Sequence, residues 1–260
     1  MFCGNTCCGR IRWAPFTVYY QSRQGAYNMK IPSYLLGLCL LFQSIAQAQG
    51  EAIDCGNPFD TPGRVGPWSY TDPFNWTQAS LPGSRFKNRI DVVESRHFTQ
   101  NVRSLYRGET NVEPIDDIGY TLDVIPDHHQ ALFAVIQLDK RTGGTLILNS
   151  NNKKITMSTP RALHAPCWFD RAVRFAPKDP KVWMLKGIYL HNNADYEKAI
   201  KAYTNSESLF AEKAIESSDL YYNMALTYLK LDDVDNAKLY AAKAYRAGYP
   251  LPGLSYLLDK

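Results

Sequence analysis

From Asp127 to Tyr249, apolar and small residues recur at helical spacing in blocks separated by short polar turns. Trp183 and Gly187 lie four apart and share one helix face; Ala199 and Tyr203 repeat that spacing on the next helix. The pattern predicts two helices in close approach at Gly187 and Ala199, with Trp183 and Tyr203 filling the space around them. Asp179-Pro180 supplies an N-cap and a proline in the first turn, and Asn192-Asn193-Ala194-Asp195 reads as the connecting turn. A second pair carries Tyr221, Ala225, Tyr228, Ala237 and Ala244, turns at Asp232-Asp233, and stops at Gly248, Pro250 and Pro252. Gly187 and Ala225 are 38 residues apart (225 − 187). An added helical turn is expected near Leu209–Ser218.

Upstream, Phe169, Ala172 and Pro177 fit the second helix of an earlier pair. Its first helix is read as Asp127–Leu138, with Ala134 as the small residue. A more divergent pair is expected in Thr99–Arg107 and Asp116–Ile125, ending at Pro126. The spacing of aromatic, Gly or Ala, Ala, aromatic and Pro resembles the tetratricopeptide repeat, a helix–turn–helix unit of about 34 residues. The resemblance covers Asp127–Tyr249 well and Thr99–Pro126 weakly. Lys186 stands where the family usually has Leu, and Ala211 where it usually has Pro. It implies an all-α solenoid of three to four helix pairs, a scaffold rather than an enzyme.

The remainder of the chain divides into a leader (1–48), an arm (49–96), and a helical domain (97–260) with an insertion (140–160). Met29-Lys30, the apolar run Leu35–Phe42 and Ser44–Ala48 have the order of a secretory signal, with cleavage expected after Ala48 or Ala46 and Met29 read as the true start. The apolar run is too short for a membrane span, which needs roughly 20 residues. All the excess charge lies in this leader. The chain has 29 basic and 25 acidic residues; removing Arg10, Arg12, Arg23 and Lys30 leaves 29 − 4 = 25 against 25. No basic stripe remains to neutralise nucleic-acid phosphates. Four of the six cysteines also fall in the leader, and Cys55 and Cys167 remain. In an oxidising compartment that pair invites a disulfide; two buried thiols are the alternative.

The arm is rich in proline and aromatics, including Trp68, Tyr70, Phe74 and Trp76. It reads as an extended cap on the first helices or, alternatively, as a sugar- or peptide-contacting surface. An Asn75-Trp76-Thr77 sequon lies within it. The insertion opens at Gly143-Gly144, and alternation at Leu146, Leu148, Ile155 and Met157 suggests a small β-hairpin or flap. No Gly-x-Ser-x-Gly elbow, phosphate loop or helical zinc motif is present, so no catalytic residues, cofactor or metal are assigned. A metal-dependent hydrolase using His128, His129, His164 and His191 is the weakest alternative.

The resemblance implies that the first helices of successive repeats line a concave face. That places His128, Ala131, Val135 and Leu138 of one helix there, with Lys181, Met184, Ile188, His191 and Asn192 of the next. Asp219, Tyr222, Leu226, Leu229 and Lys230 come from the last. This mixture of apolar and polar groups suits a protein or peptide partner. The chain is accordingly expected to be an exported, periplasmic or secreted, adaptor in envelope assembly or maintenance. A carbohydrate- or envelope-polymer-binding role for the arm is the second reading.

Overall fold

The helix signals of the sequence appear as eleven helices among the described residues. These are α1 (Pro73–Thr77), α2 (Arg89–His97), α3 (Gln100–Arg103), α4 (Pro114–Val124), α5 (His129–Thr142), α6 (Ala165–Phe175), α7 (Pro180–Asn192), α8 (Tyr196–Glu212), α9 (Ser218–Lys230), α10 (Val234–Arg246) and α11 (Gly253–Leu258). The structure is a computed structural model that describes residues 54–61, 64–77, 85–109, 112–144 and 164–258, all within one compact unit, Ile53–Lys260. The leader and the hairpin expected in the insertion lie outside the described residues.

Antiparallel pairing is closest between α7 and α8 and between α9 and α10. The α7/α8 pair closes around Gly187, whose added Cβ would lie 2.3–2.8 Å from the Tyr203 ring. Only a residue without a side chain admits this approach. The second pair closes around Ala225, Ala237 and Ala244, all fully buried. Deep in the first pair, the Ser206 hydroxyl donates to the Pro180 carbonyl over 2.7 Å. The expected extra turn lies at the end of α8, which has seventeen residues against thirteen in α10.

The turns repeat as faithfully as the helices. After α7, Asp195 N–H donates to Leu190 O and Ala194 N–H to Leu190's neighbour His191, with Ala194 at φ 61°. After α9, Asp233 N–H donates to Tyr228 O and Asp232 N–H to Leu229 O, with Asp232 at φ 58°. These paired bonds satisfy carbonyls that each helix end would otherwise leave open.

The N-terminal portion departs from the sequence reading. The arm holds two helices, α1 and α2, where few helix signals were legible. Thr99–Arg107 forms only the single turn of α3 and then reverses through Leu105 at φ 55°, so it is not a repeat helix. α5 continues to Thr142, and the chain leaves it at left-handed Gly143 rather than at Lys140.

Backbone and charge both fasten the arm to the repeats. Trp68 N–H donates to Val124 O at 2.8 Å, and Tyr70 N–H to Asp127 Oδ1 at 2.8 Å. Arg171, 1% exposed, donates to Asn57 O and to Asp123 Oδ1; Arg64 donates to the other Asp123 oxygen. The Cys55–Cys167 disulfide is formed, tying the arm to α6. Within the arm, the exposed Trp76 donates its Nε1–H to Tyr70 O, and the buried Asn75 amide donates to Ser69 O while accepting from Arg89. Among the described residues no helix is long and apolar enough to cross a membrane.

Candidate functional site

The expected concave face is closed at both ends by the chain itself. His128 and Val135 are fully buried, with Ala131 and Leu138 beside them, and offer nothing to a ligand. Phe98, Val102 and Leu105 of the α2–α3 segment share their hydrophobic cluster. Polar bonds fix the cover: Arg141 donates to Leu105 O, Arg103 to Gln130, and His128 meets Glu94 at 3.0 Å. His128 and Val135 therefore leave the binding set. An apolar helix face reads the same in sequence whether it lines a groove or receives a neighbouring segment.

At the other end α11 packs over α9 and α10, burying Leu254 against Ala225 and Ala241. Tyr222 and Leu226 are half-buried at this cluster, and Tyr222 stacks on Tyr249 with ring centroids 3.9 Å apart. Tyr222 is thus part of the cap rather than a free anchor.

The middle of the face remains, carried by α7 and its neighbour α9. Lys181, Asn192 and Lys230 are exposed; Met184 and Ile188 are half-buried, resting on the cluster around Tyr203 and Met224. His191 meets Thr227 Oγ1 at 2.7 Å and crosses the Tyr196 ring edge-on. Burial, followed by the positive charge of Lys230, pulls its imidazole below the usual histidine range. A neutral His191 leaves an uncharged, mildly apolar strip between the two lysines. Such a strip accommodates an extended or helical peptide segment without burying a charge.

The other histidines serve the fold. His97 Nδ1 lies 2.8 Å from Asp117, and His129 Nε2 lies 2.6 Å from Asp179. His164 caps α6 without a side-chain cap bond. His128 and His129 lie close together but are drawn to different carboxylates, and His164 and His191 lie on other helices. Among the described residues no group of three or more His, Cys, Asp or Glu is placed to hold a metal ion.

His128 has a consequence for stability. Its Nδ1 accepts from Ala131 N–H, which places the proton on Nε2, donating to Glu94. Burial pushes its pKa down, against the pull of Glu94. The unfolded imidazole takes a proton below about pH 6.5, while the folded one resists. The unfolded state therefore binds more protons in that interval, and this contribution to stability, complete above about 6.5, is lost as pH falls. His128→Asn keeps a capping acceptor and removes the titration. Its melting temperature should decline less than that of the wild type between pH 7 and 5; equal declines would assign the pH dependence elsewhere.

Sequence reading missed Asp123, Asp127 and Arg171, which join arm to repeats, and a cavity between the ends of α5 and α7. The partners in these contacts are up to 116 residues apart, and no local spacing announces them.

Paired antiparallel helices, repeated turn geometry and a capped end define a helical-repeat scaffold of the kind that holds other proteins. A tetratricopeptide-repeat family model matches residues 218–247, spanning α9, its turn and α10. A repeat of that family is therefore present there, and α7 and α8 reproduce its arrangement one step earlier in the chain. No curated protein matches the chain.

Proposed function

We propose that the chain is an exported adaptor that holds a peptide or a protein segment along α7 and the adjoining edge of α9. The observation that carries this is the open strip of Lys181, Met184, Ile188, His191, Asn192 and Lys230 left between two self-covered ends. Tyr222 and Leu226 border it. The strip lies within a scaffold capable of protein–protein interaction. Charge reversal at both ends of the strip, Lys181→Glu with Lys230→Glu, is the direct test. Both side chains are exposed, so partner capture should weaken while thermal unfolding changes little, and unchanged capture would contradict the reading.

Export rests on the basic, apolar and small-residue series from Met29 to Ala48. The Cys55–Cys167 bond agrees with an oxidising compartment. A role in envelope assembly or maintenance fits an adaptor so placed. N-terminal sequencing of the native protein should find Gln49 or Gln47 first; retained Met1 or Met29 would contradict export. The aromatic arm offers sugars less than its composition suggests, because Trp68 and Tyr70 pack inward and leave Phe74 and Trp76 as its exposed rings among those four.

A further inference from the structure

The last turns of α5 and α7 end side by side around a cavity of about 230 Å³. Ile136 lines part of it, and Asp139, Tyr189, Asn192 and Asn193 supply its polar groups. Asp139 is the unusual member. It is 6% exposed, it sits in the last turn of α5, and among the described residues its side chain meets the Asn193 amide at a long 3.5 Å. That amide's other N–H donates to Tyr189 O at 3.0 Å, the shorter of its two bonds. A carboxylate is disfavoured at a helix C-terminus, where the backbone dipole is negative, and here two such ends converge. A nearly buried carboxylate without a cation is costly to the fold. Lys140 is exposed at the rim, and no ion pair between it and Asp139 is found among the described residues.

We propose that this cavity is a binding site for a primary ammonium group, presented by the peptide held along α7. Its biological ligand rests on the groove reading, since Asn192 belongs to both surfaces. The ammonium would donate to Asp139 and to the Asn192 or Asn193 side-chain oxygen, with its methylene stem against Ile136. Such a group supplies a positive charge that no described residue pairs with Asp139, Lys140 standing at the rim outside ion-pair distance. The electrostatics agree: burial, then Asp139 and Asp195, pushes the Tyr189 phenol up to about 12, and burial raises the Asp139 carboxyl. A bound cation would draw the carboxyl back toward its ionised form.

A lysine side chain and a peptide N-terminus share this chemistry, and two probes separate them. Amide NMR spectra of the full mature protein are titrated with N-acetyl-lysine methylamide, with alanine methylamide, and with the uncharged N-acetyl-norleucine methylamide. Saturable shifts at Tyr189 and Asn193 are expected with one of the amines and not with norleucine. Asp139→Asn should weaken the response by at least about tenfold. Its thermal melt reports whether it folds, and the norleucine comparison on the wild type stands without any variant. No response to either amine, an equal response to norleucine, or undiminished binding by a folded Asp139→Asn would overturn the proposal. Because the probes need no partner, loss of partner capture in Lys181→Glu with Lys230→Glu is a separate result that bears on the groove alone.

Discussion

Replacing Gly187 by Leu should unfold the central repeat. A single methyl at this position already lies 2.3 Å from the Tyr203 ring. Tyr203 cannot retreat: it is fully buried, within a cluster of Ala199, Phe210, Leu220 and Met224. Four extra carbons must separate α7 from α8, and overpacking of a well-filled core costs about 1–3 kcal/mol or more. That is a large fraction of a domain's stability, commonly about 5–15 kcal/mol. Gly187→Ala should also destabilise, despite the roughly 1 kcal/mol that alanine gains over glycine within a helix. Gly119 gives the opposite sign. A Cβ there meets the Trp168 ring at 3.5 Å, an ordinary contact, so Gly119→Ala should be neutral or stabilise by up to about 1 kcal/mol. Thermal or urea unfolding of the three variants decides this; a Gly187→Leu protein as stable as the wild type would place the α7/α8 contact elsewhere.

Removing the disulfide should have the second-largest effect. Cys55 and Cys167 are separated by 112 residues. A cross-link closing a loop of that size is worth up to about 4–5 kcal/mol in the chain-entropy view, and native removal commonly costs about 2–5 kcal/mol. The Cys55→Ala, Cys167→Ala double variant should therefore unfold at clearly lower denaturant. Its native arm should remain in place, because Arg171, Arg64, Tyr70 and Trp68 hold it by independent contacts. Mass measurement of the unreduced, alkylated and digested wild type should show Cys55 and Cys167 unmodified. Equal denaturation midpoints for the wild type and the double variant would show that the bond adds nothing beyond those contacts.

These two effects differ in how far the sequence announced them. The Gly187–Tyr203 contact lies within one repeat, and the periodic small residues mark where helices approach, so the α7–α10 architecture was legible. The disulfide was legible as a lone cysteine pair, without its surroundings. The α2–α3 cover was not legible: Phe98 and Val102 are ordinary apolar residues, and nothing in Val135 or His128 tells a buried face from an open one. The same limit applies to Tyr222, whose stacking partner Tyr249 lies beyond the helix stop. All six residues of the proposed strip were in the set that the resemblance implied; what the sequence did not mark was that His128, Val135 and Tyr222 are covered by the chain itself. The Asp139 cavity needed the folded chain, because it joins two helix ends about fifty residues apart.

The central claim is that the α7 strip, and not another surface, holds the partner. A photo-cross-linking residue at Asn192 tests it most directly, with the same residue at Lys238 on the exposed side of α10 as the comparison. In cells that express the protein, Asn192 should cross-link to one discrete partner band, Lys238 should not, and Lys181→Glu with Lys230→Glu should weaken the band while leaving the melting temperature within a few degrees. Cross-linking from Lys238 alone, or a band unaffected by the double charge reversal, would contradict the account.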